Sequence, residues 1–267
     1  AVALVCHKAN HKYVSWTYDS PFMFVYSTTI ALKTNLAFIF DKATVDELWK
    51  KGIDTVHYLP MAAPVAYYDS LYSSFNVRKK YQSDISFVGS LYTEDRQNQM
   101  KRLKGITQET EKYLEMLIGL QLQSYAMPIF EKFLNPAVIA DLQRVCPIPL
   151  GEDEMQSDAW MYANYFLARQ TTAIERTMLL EAIGNEHQLK LYTPEPTPQF
   201  PNVDNRGPVD YCNEMPYVFK NSKINLNITL KSIYSGIPLR AFDIMGCKGF
   251  LISDFQADFG GIFIPDE

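Results

Sequence analysis

The sequence predicts an α/β protein of parallel sheets with helices on both faces. Three observations predict it. Short apolar runs rich in β-branched and aromatic residues recur along the chain. Helix start and stop signals separate them, which favours parallel over hairpin pairing. No repeat occurs at a solenoid period. The run of Tyr, Ser and basic residues from 66 to 82 marks a boundary. The expected organisation is part of one domain over 1–78 and a nearly complete second domain over 79–267. A helical insertion at about 107–170 belongs to the second.

In the first part, Ala1–Cys6 reads as a strand entered midway, Lys12–Thr17 as a second and Leu36–Phe40 as a third. Thr44 and Glu47 have capping-box spacing, so a helix is expected from Thr44 to the Lys51-Gly52 stop. Val56–Leu59 is a fourth strand, ended by Pro60.

In the second part, Asp84–Val88 is a strand and 94–104 a helix. Residues 107–150 are Leu-, Gln- and Glu-rich at helical spacing, interrupted by Pro128 and Pro136, and 157–170 is aromatic and helical. Thr172 and Glu175 form another capping box, opening a helix that stops at Gly184-Asn185. Then come a strand at Leu189–Tyr192, a rigid loop at Thr193–Pro196, a short helix at 213–222 and a strand at Ile224–Asn227. Pro238 opens a helix that runs through Met245, and Gly249–Ile252 is the last strand.

Composition narrows the function. Hydrophobic residues make up 47% and charged residues 21%, with a formal net charge of −5. That balance argues against a nucleic-acid partner, and Arg78-Lys79-Lys80 reads as a solvated linker. Cys6, Cys146, Cys212 and Cys247 lack zinc-site spacing, so no metal site is expected. They read as free thiols of a reducing, cytoplasmic compartment. No apolar run is long enough for a transmembrane segment. Both ends read as cut from a longer protein.

Ligands of open parallel sheets sit beyond the carboxyl ends of the strands, and three such ends carry suitable residues. Gly89-Ser90 can approach a phosphate, by backbone and by hydroxyl, or be a plain turn. Asn225, Asn227 and Thr229 are polar where a buried strand is normally apolar. They either tie down loops or meet a polar ligand. Ser235, Gly236 and Pro238 lead into a helix start whose free N–H groups favour an anion. Arg240 stands there against the helix dipole. Asp243, three residues on, either pairs with Arg240 or accepts from ribose hydroxyls.

These points lie in an order that resembles the CgeB-like (spore maturation protein) glycosyltransferase family, including its bacterial branch with an uncharacterised N-terminal domain. The matching stretches are 13–21, 40–42, 58–62, 84–92, 174–176, 191–193 and, longest, Ser222 through Gly246. The resemblance implies a GT-B fold, in which two Rossmann-like domains face each other across a cleft. It implies a hexosyltransferase-type enzyme taking a nucleotide-sugar donor, UDP-linked or similar, without other cofactor or metal. The acceptor is an unidentified glycan, protein or lipid-linked molecule. By the same resemblance Gly89 and Ser90 approach the donor phosphates, 227–236 lines the phosphate and sugar pocket, Asp243 binds ribose and Thr193 lies near the base.

Many retaining members carry two glutamates at Glu-x7-Glu spacing. Here Asp243 stands at the second place and Ser235 at the first. A base from the first domain is therefore expected, and Asp19 is the candidate; an Asx turn before Pro21 is the alternative. His7 and His11 are weaker candidates. The competing reading is a catalytically inactive nucleotide-sugar or glycan-binding module of a cell-envelope or spore assembly pathway. An NAD-dependent enzyme fares worst, because no Gly-x-Gly-x-x-Gly follows a strand.

Overall fold

A computed structural model describes residues 2–94, 96–124 and 128–264. The chain opens with α1 (Val2–Lys8), not the expected strand. A strand there would need a neighbour, whereas this segment bonds within itself and buries none of its residues. Strands β1 (Tyr13–Thr17), β2 (Asn35–Ile39) and β3 (Val56–Tyr58) form a parallel sheet in the order β1-β2-β3. Helix α2 (Lys42–Lys50) covers it. Its N-cap is Asp41, whose side chain accepts from Ala43 N, so α2 starts before Thr44 and buries it. The expected Thr44 box is thus corrected: Glu47 instead pairs with Lys51 at 2.6 Å.

Helices α3 (Val65–Ser70) and α4 (Phe75–Tyr81) occupy the stretch read as a boundary. Tyr68 and Tyr81 pack into the core of the second sheet. That sheet contains β4 (Ser83–Val88), β5 (Leu189–Tyr192), β6 (Asp204–Asn205), β7 (Ser222–Asn227) and β8 (Leu251–Ser253). All pairs are parallel, in the order β6-β5-β4-β7-β8.

Between β4 and β5 the expected helix at 94–104 shrinks to a 3-10 turn at Gln99–Leu103 capped by Asn98; Asp95 lies outside the described residues. Helices α5 (Gln108–Gln123), α6 (Phe130–Phe133) and α7 (Pro136–Val145) follow, with their own core around Leu114, Leu117 and Leu142. Helix α8 (Asp158–Met161) passes through a π-helical stretch, Tyr162–Leu167, directly into α9 (Ala168–Glu186). The second expected box is therefore also corrected. Thr172 lies inside α9, its hydroxyl bonded to Ala168 O, and Glu175 faces Lys231 at 2.7 Å. Nor does α9 stop at Gly184. A Cβ there would meet Val203 at 2.3 Å, so the glycine serves close packing.

Helices α10 (Met215–Asn221) and α11 (Leu239–Gly246) pack with α3 and α4 on one face of the second sheet; α9 covers the other. The result is a Rossmann-like pair of parallel sheets flanked by helices, consistent with the GT-B type. Trp160 and Met161, at the end of α8, belong to the core of the first sheet.

Candidate functional site

Parallel pairing puts the carboxyl ends of β4, β5, β7 and β8 on one edge of the second sheet. Gly89-Ser90, Thr193, Ile228-Thr229 and Asp254 leave from that edge. Arg176 reaches it from α9. Its Nε donates to Ile228 O at 3.1 Å, and its guanidinium also donates to Ser90 O at 2.5 Å, so one side chain ties the ends of β4 and β7 together. Arg176 is only 9% exposed, and among the described residues no carboxylate forms an ion pair with it. Burial pushes its pKa down; Tyr92 and the Asp254 and Glu175 carboxylates oppose the fall, and the charge of Arg240 adds to it, burial prevailing.

Arg240, in the first turn of α11, lies 5.6 Å over the Phe219 ring and 3.6 Å from Asp243 Oδ2. Asp243 is fully buried. Its Oδ1 accepts from Tyr68 Oη at 2.8 Å and Tyr211 Oη at 3.0 Å. Burial raises the Asp243 pKa, while the Tyr68 bond, Arg240 and Tyr211 lower it, burial prevailing. The carboxylate thus faces two phenols and a guanidinium. Direct contact with ribose is not what this arrangement offers, because the protein itself closes over both oxygens.

Ser90 and Thr193 share one partner. The Glu195 carboxylate accepts from both hydroxyls and from Leu91 N at 2.8 Å, and is 1% exposed. Burial alone would raise its pKa, but the bonds from Ser90, Thr193 and the backbone outweigh it and hold it low. A hydroxyl has one proton to donate. Ser90 spends that proton within the protein, so a phosphate here would meet backbone N–H groups instead.

The Asn residues of β7 tie the structure inward. Asn225 accepts from Ser86 at 2.8 Å and donates to Phe219 O and Phe250 O. Asn227 donates to Ser253 and Thr229, and Asp254 accepts from the Thr229 N–H and hydroxyl. Loop anchoring, one of the two alternatives, is what these side chains do.

The loop after β7 crosses to the first sheet. Asp41 accepts from Tyr234 N at 2.7 Å, Ser235 N at 3.2 Å and Ser235 Oγ at 3.0 Å. Ser235 Oγ in turn accepts from Ala43 N, and Asp258 from Lys42 N. Two groups of the second lobe therefore help cap α2. At Gly236 a Cβ would approach Asp41 Cα and the Phe40 ring at 2.9 Å, so only glycine fits the seam.

Beside the seam, Thr17, Asp19, Ser20, Asp41, Trp160 and Tyr234 line a chamber of about 30 Å³ at the carboxyl ends of β1 and β2. Ser20 Oγ donates to Ser232 O at 2.6 Å across the lobes. Asp19 is exposed at this junction, whereas His7 bonds Thr34 on α1's side and His11 is exposed elsewhere.

The structure therefore brings Gly89, Ser90, Thr193, Asn227, Thr229 and Arg240 to one edge and Asp19 to the facing one. Asn225 and Asp243 lie inside, and Ser235 and Gly236 form the seam. Sequence reasoning missed Arg176, Glu195 and Asp41. Glu195 had a signal in its place directly after a strand end, and Asp41 had one in the N-cap preference of Asp. Arg176 lay in the 174–176 stretch that carries the resemblance, but nothing there marked its partners, which are main-chain carbonyls.

Among the described residues, no helix is long and apolar enough to cross a membrane. No curated protein and no solved structure matches the chain at a significant level. Residues 169–267, less than half of the chain but holding β5 to β8, Arg176, the seam loop and α11, match the family model described as glycosyl transferase-like.

Proposed function

We propose that this chain is the donor-binding part of a GT-B glycosyltransferase that moves a sugar from a nucleotide-diphosphate sugar to a hydroxyl acceptor. The observation that carries the reading is Arg176. A charge taken out of water costs several kcal/mol unless it is paired, and this guanidinium is bonded to carbonyls at two strand ends, with Asp254 and Glu175 acting on it from beyond ion-pair distance and Arg240 opposing them. A diphosphate beyond β4 and β7 adds the direct anionic partner that neither carboxylate provides. Arg176 and Arg240 then stabilise the leaving group, as preorganised charge does in such sites. The glycosyl transferase-like match covers both arginines.

In the proposed reaction the acceptor oxygen bonds to the anomeric carbon as the bond from that carbon to the diphosphate oxygen breaks. The electron pair leaves with the diphosphate, and the acceptor proton goes to Asp19. Asp243 acts at one remove, fixing Arg240 and Tyr211.

Calorimetry with UDP, GDP, ADP and dTDP tests the donor site. At least one is expected to bind, and Arg176→Lys and Arg240→Ala to weaken the diphosphate more than the matching nucleoside. Binding of none, or equal losses for diphosphate and nucleoside, overturns the reading. Ser235 favours a second reading, an inactive nucleotide-sugar or glycan-binding module. It stands where retaining relatives carry a glutamate, and its hydroxyl is committed to Asp41 and Ala43. Donor binding without donor hydrolysis or transfer would select that module.

A further inference from the structure

We infer that Tyr92 is a positioning residue, whose ring holds the Arg176 guanidinium ready for a donor diphosphate. The inference rests on the donor-binding reading and deepens it. Among the described residues, three other than glycine have positive φ: Asn10 at 53°, Tyr92 at 57° and Lys248 at 61°. Two of them close helices. His11 N bonds Cys6 O at 2.8 Å behind α1, and Gly249 N bonds Ile244 O at 2.9 Å behind α11, the pattern of a left-handed helix end. Tyr92 ends no helix. It stands four residues past β4, where a bulky side chain in this conformation is an outlier. The strain comes from crowding of Cβ against the carbonyl that follows. Such strain persists only where the surroundings over-determine it, and it gathers at functional sites.

The turn around Tyr92 is pinned. Tyr92 N donates to Ser90 Oγ at 2.9 Å, and Ser90 Oγ and Leu91 N both donate to the buried Glu195 carboxylate. So fixed, the turn places the centre of the Tyr92 ring 4.9 Å from Arg176 Cζ, with the Phe87 ring at 5.3 Å. The electron-rich face of a ring attracts such a cation. Arg176 in turn donates to Ser90 O and to Ile228 O. Ring and charge thus hang on the same residue, Ser90, and move together. An arginine held in advance loses little rotamer freedom when an anion arrives, which is how preorganisation raises affinity.

The test compares Tyr92→Phe with Tyr92→Leu. Both keep an apolar side chain and the backbone strain, but only phenylalanine keeps a ring face for the cation. Two readouts follow them. The Arg176 Nε–H resonance, assigned with Arg176→Lys, is read by NMR without any ligand. It is expected to stay in place in Tyr92→Phe and to move and broaden in Tyr92→Leu. Calorimetry with UDP, GDP, ADP and dTDP is expected to show the bound diphosphate within about twofold of wild type for Tyr92→Phe and about fivefold weaker for Tyr92→Leu, with the matching nucleoside unchanged. Should Tyr92→Leu fail to fold, Tyr92→Gly, which relieves the strain, carries the same two expectations. Equal diphosphate affinity of the two variants, or an Arg176 signal unmoved in Tyr92→Leu, overturns the inference and leaves the donor reading standing. Binding of no nucleotide by the wild type overturns both.

Discussion

Replacing Asp41 by alanine tests how the two lobes are joined. The Asp41 carboxylate accepts from Tyr234 N, Ser235 N and Ser235 Oγ of the second lobe, and from Ala43 N of its own helix. Ala43 N keeps Ser235 Oγ as a partner at 2.9 Å, and the serine hydroxyl can rotate. The two main-chain donors cannot. Each buried donor left unmatched costs about 1–3 kcal/mol, so Asp41→Ala is expected to lose about 4 kcal/mol. Asp41→Asn keeps one accepting oxygen but turns an NH2 toward donors, and is expected to lose about 2 kcal/mol. Urea unfolding followed by tryptophan fluorescence and circular dichroism reads both, with the denaturant slope unchanged. A double-mutant cycle with Ser235→Ala should show coupling of at least about 0.5 kcal/mol, as residues in one network do. A loss below about 1 kcal/mol for Asp41→Ala, with no coupling, refutes the account of the seam.

Gly236→Ala drives a methyl group against Asp41 Cα and the Phe40 ring and is expected to cost about 1–3 kcal/mol in the same unfolding assay. Gly119→Ala, inside α5 with nothing within 4 Å, is expected to stabilise by up to about 1 kcal/mol. Glu195→Gln removes the charge that gathers Ser90, Leu91 and Thr193. It should cost about 2 kcal/mol and weaken nucleotide binding in calorimetry. Glu214 is held at about 2 by bonds from Tyr81, Asp210 N and Lys80. A depressed carboxyl stabilises above its unfolded value of about 4.3 and loses that contribution as pH falls through about 2. Glu214→Gln should therefore flatten the acid limb of stability against pH over that window, measured by urea unfolding at each pH.

The strands were the most legible elements, since Leu36–Phe40 and Asp84–Val88 carry short apolar runs between breakers and Leu189–Tyr192 and Ile224–Asn227 alternate apolar and polar residues. Ala1–Cys6 has the same look but no neighbour to pair with, and pairing is a tertiary fact. Both capping boxes failed for one reason: a cap needs its residue at a chain entry. Asp41 takes the entry of α2, and the π-helical stretch carries α8 straight into α9 past Thr172. At the site, position relative to a strand end could be read from sequence, and that brought Gly89, Ser90 and Thr193 to one edge. What occupies each hydrogen bond could not. Asp243 was weighed against Arg240, three residues away, whereas its nearer partners, Tyr68 and Tyr211, come from distant segments.

The cross-packing of α3 and α8 makes the two sheets a single thermodynamic body. Excising residues 79–267 would strip Trp160 and Met161 of the sheet they lean on and take Tyr68 from beneath α11. Such a piece would expose greasy surface and leave the Asp243 carboxylate short of a phenol. Trimming this protein to its second sheet therefore has to retain the first lobe, even though that lobe contributes no strand to that sheet.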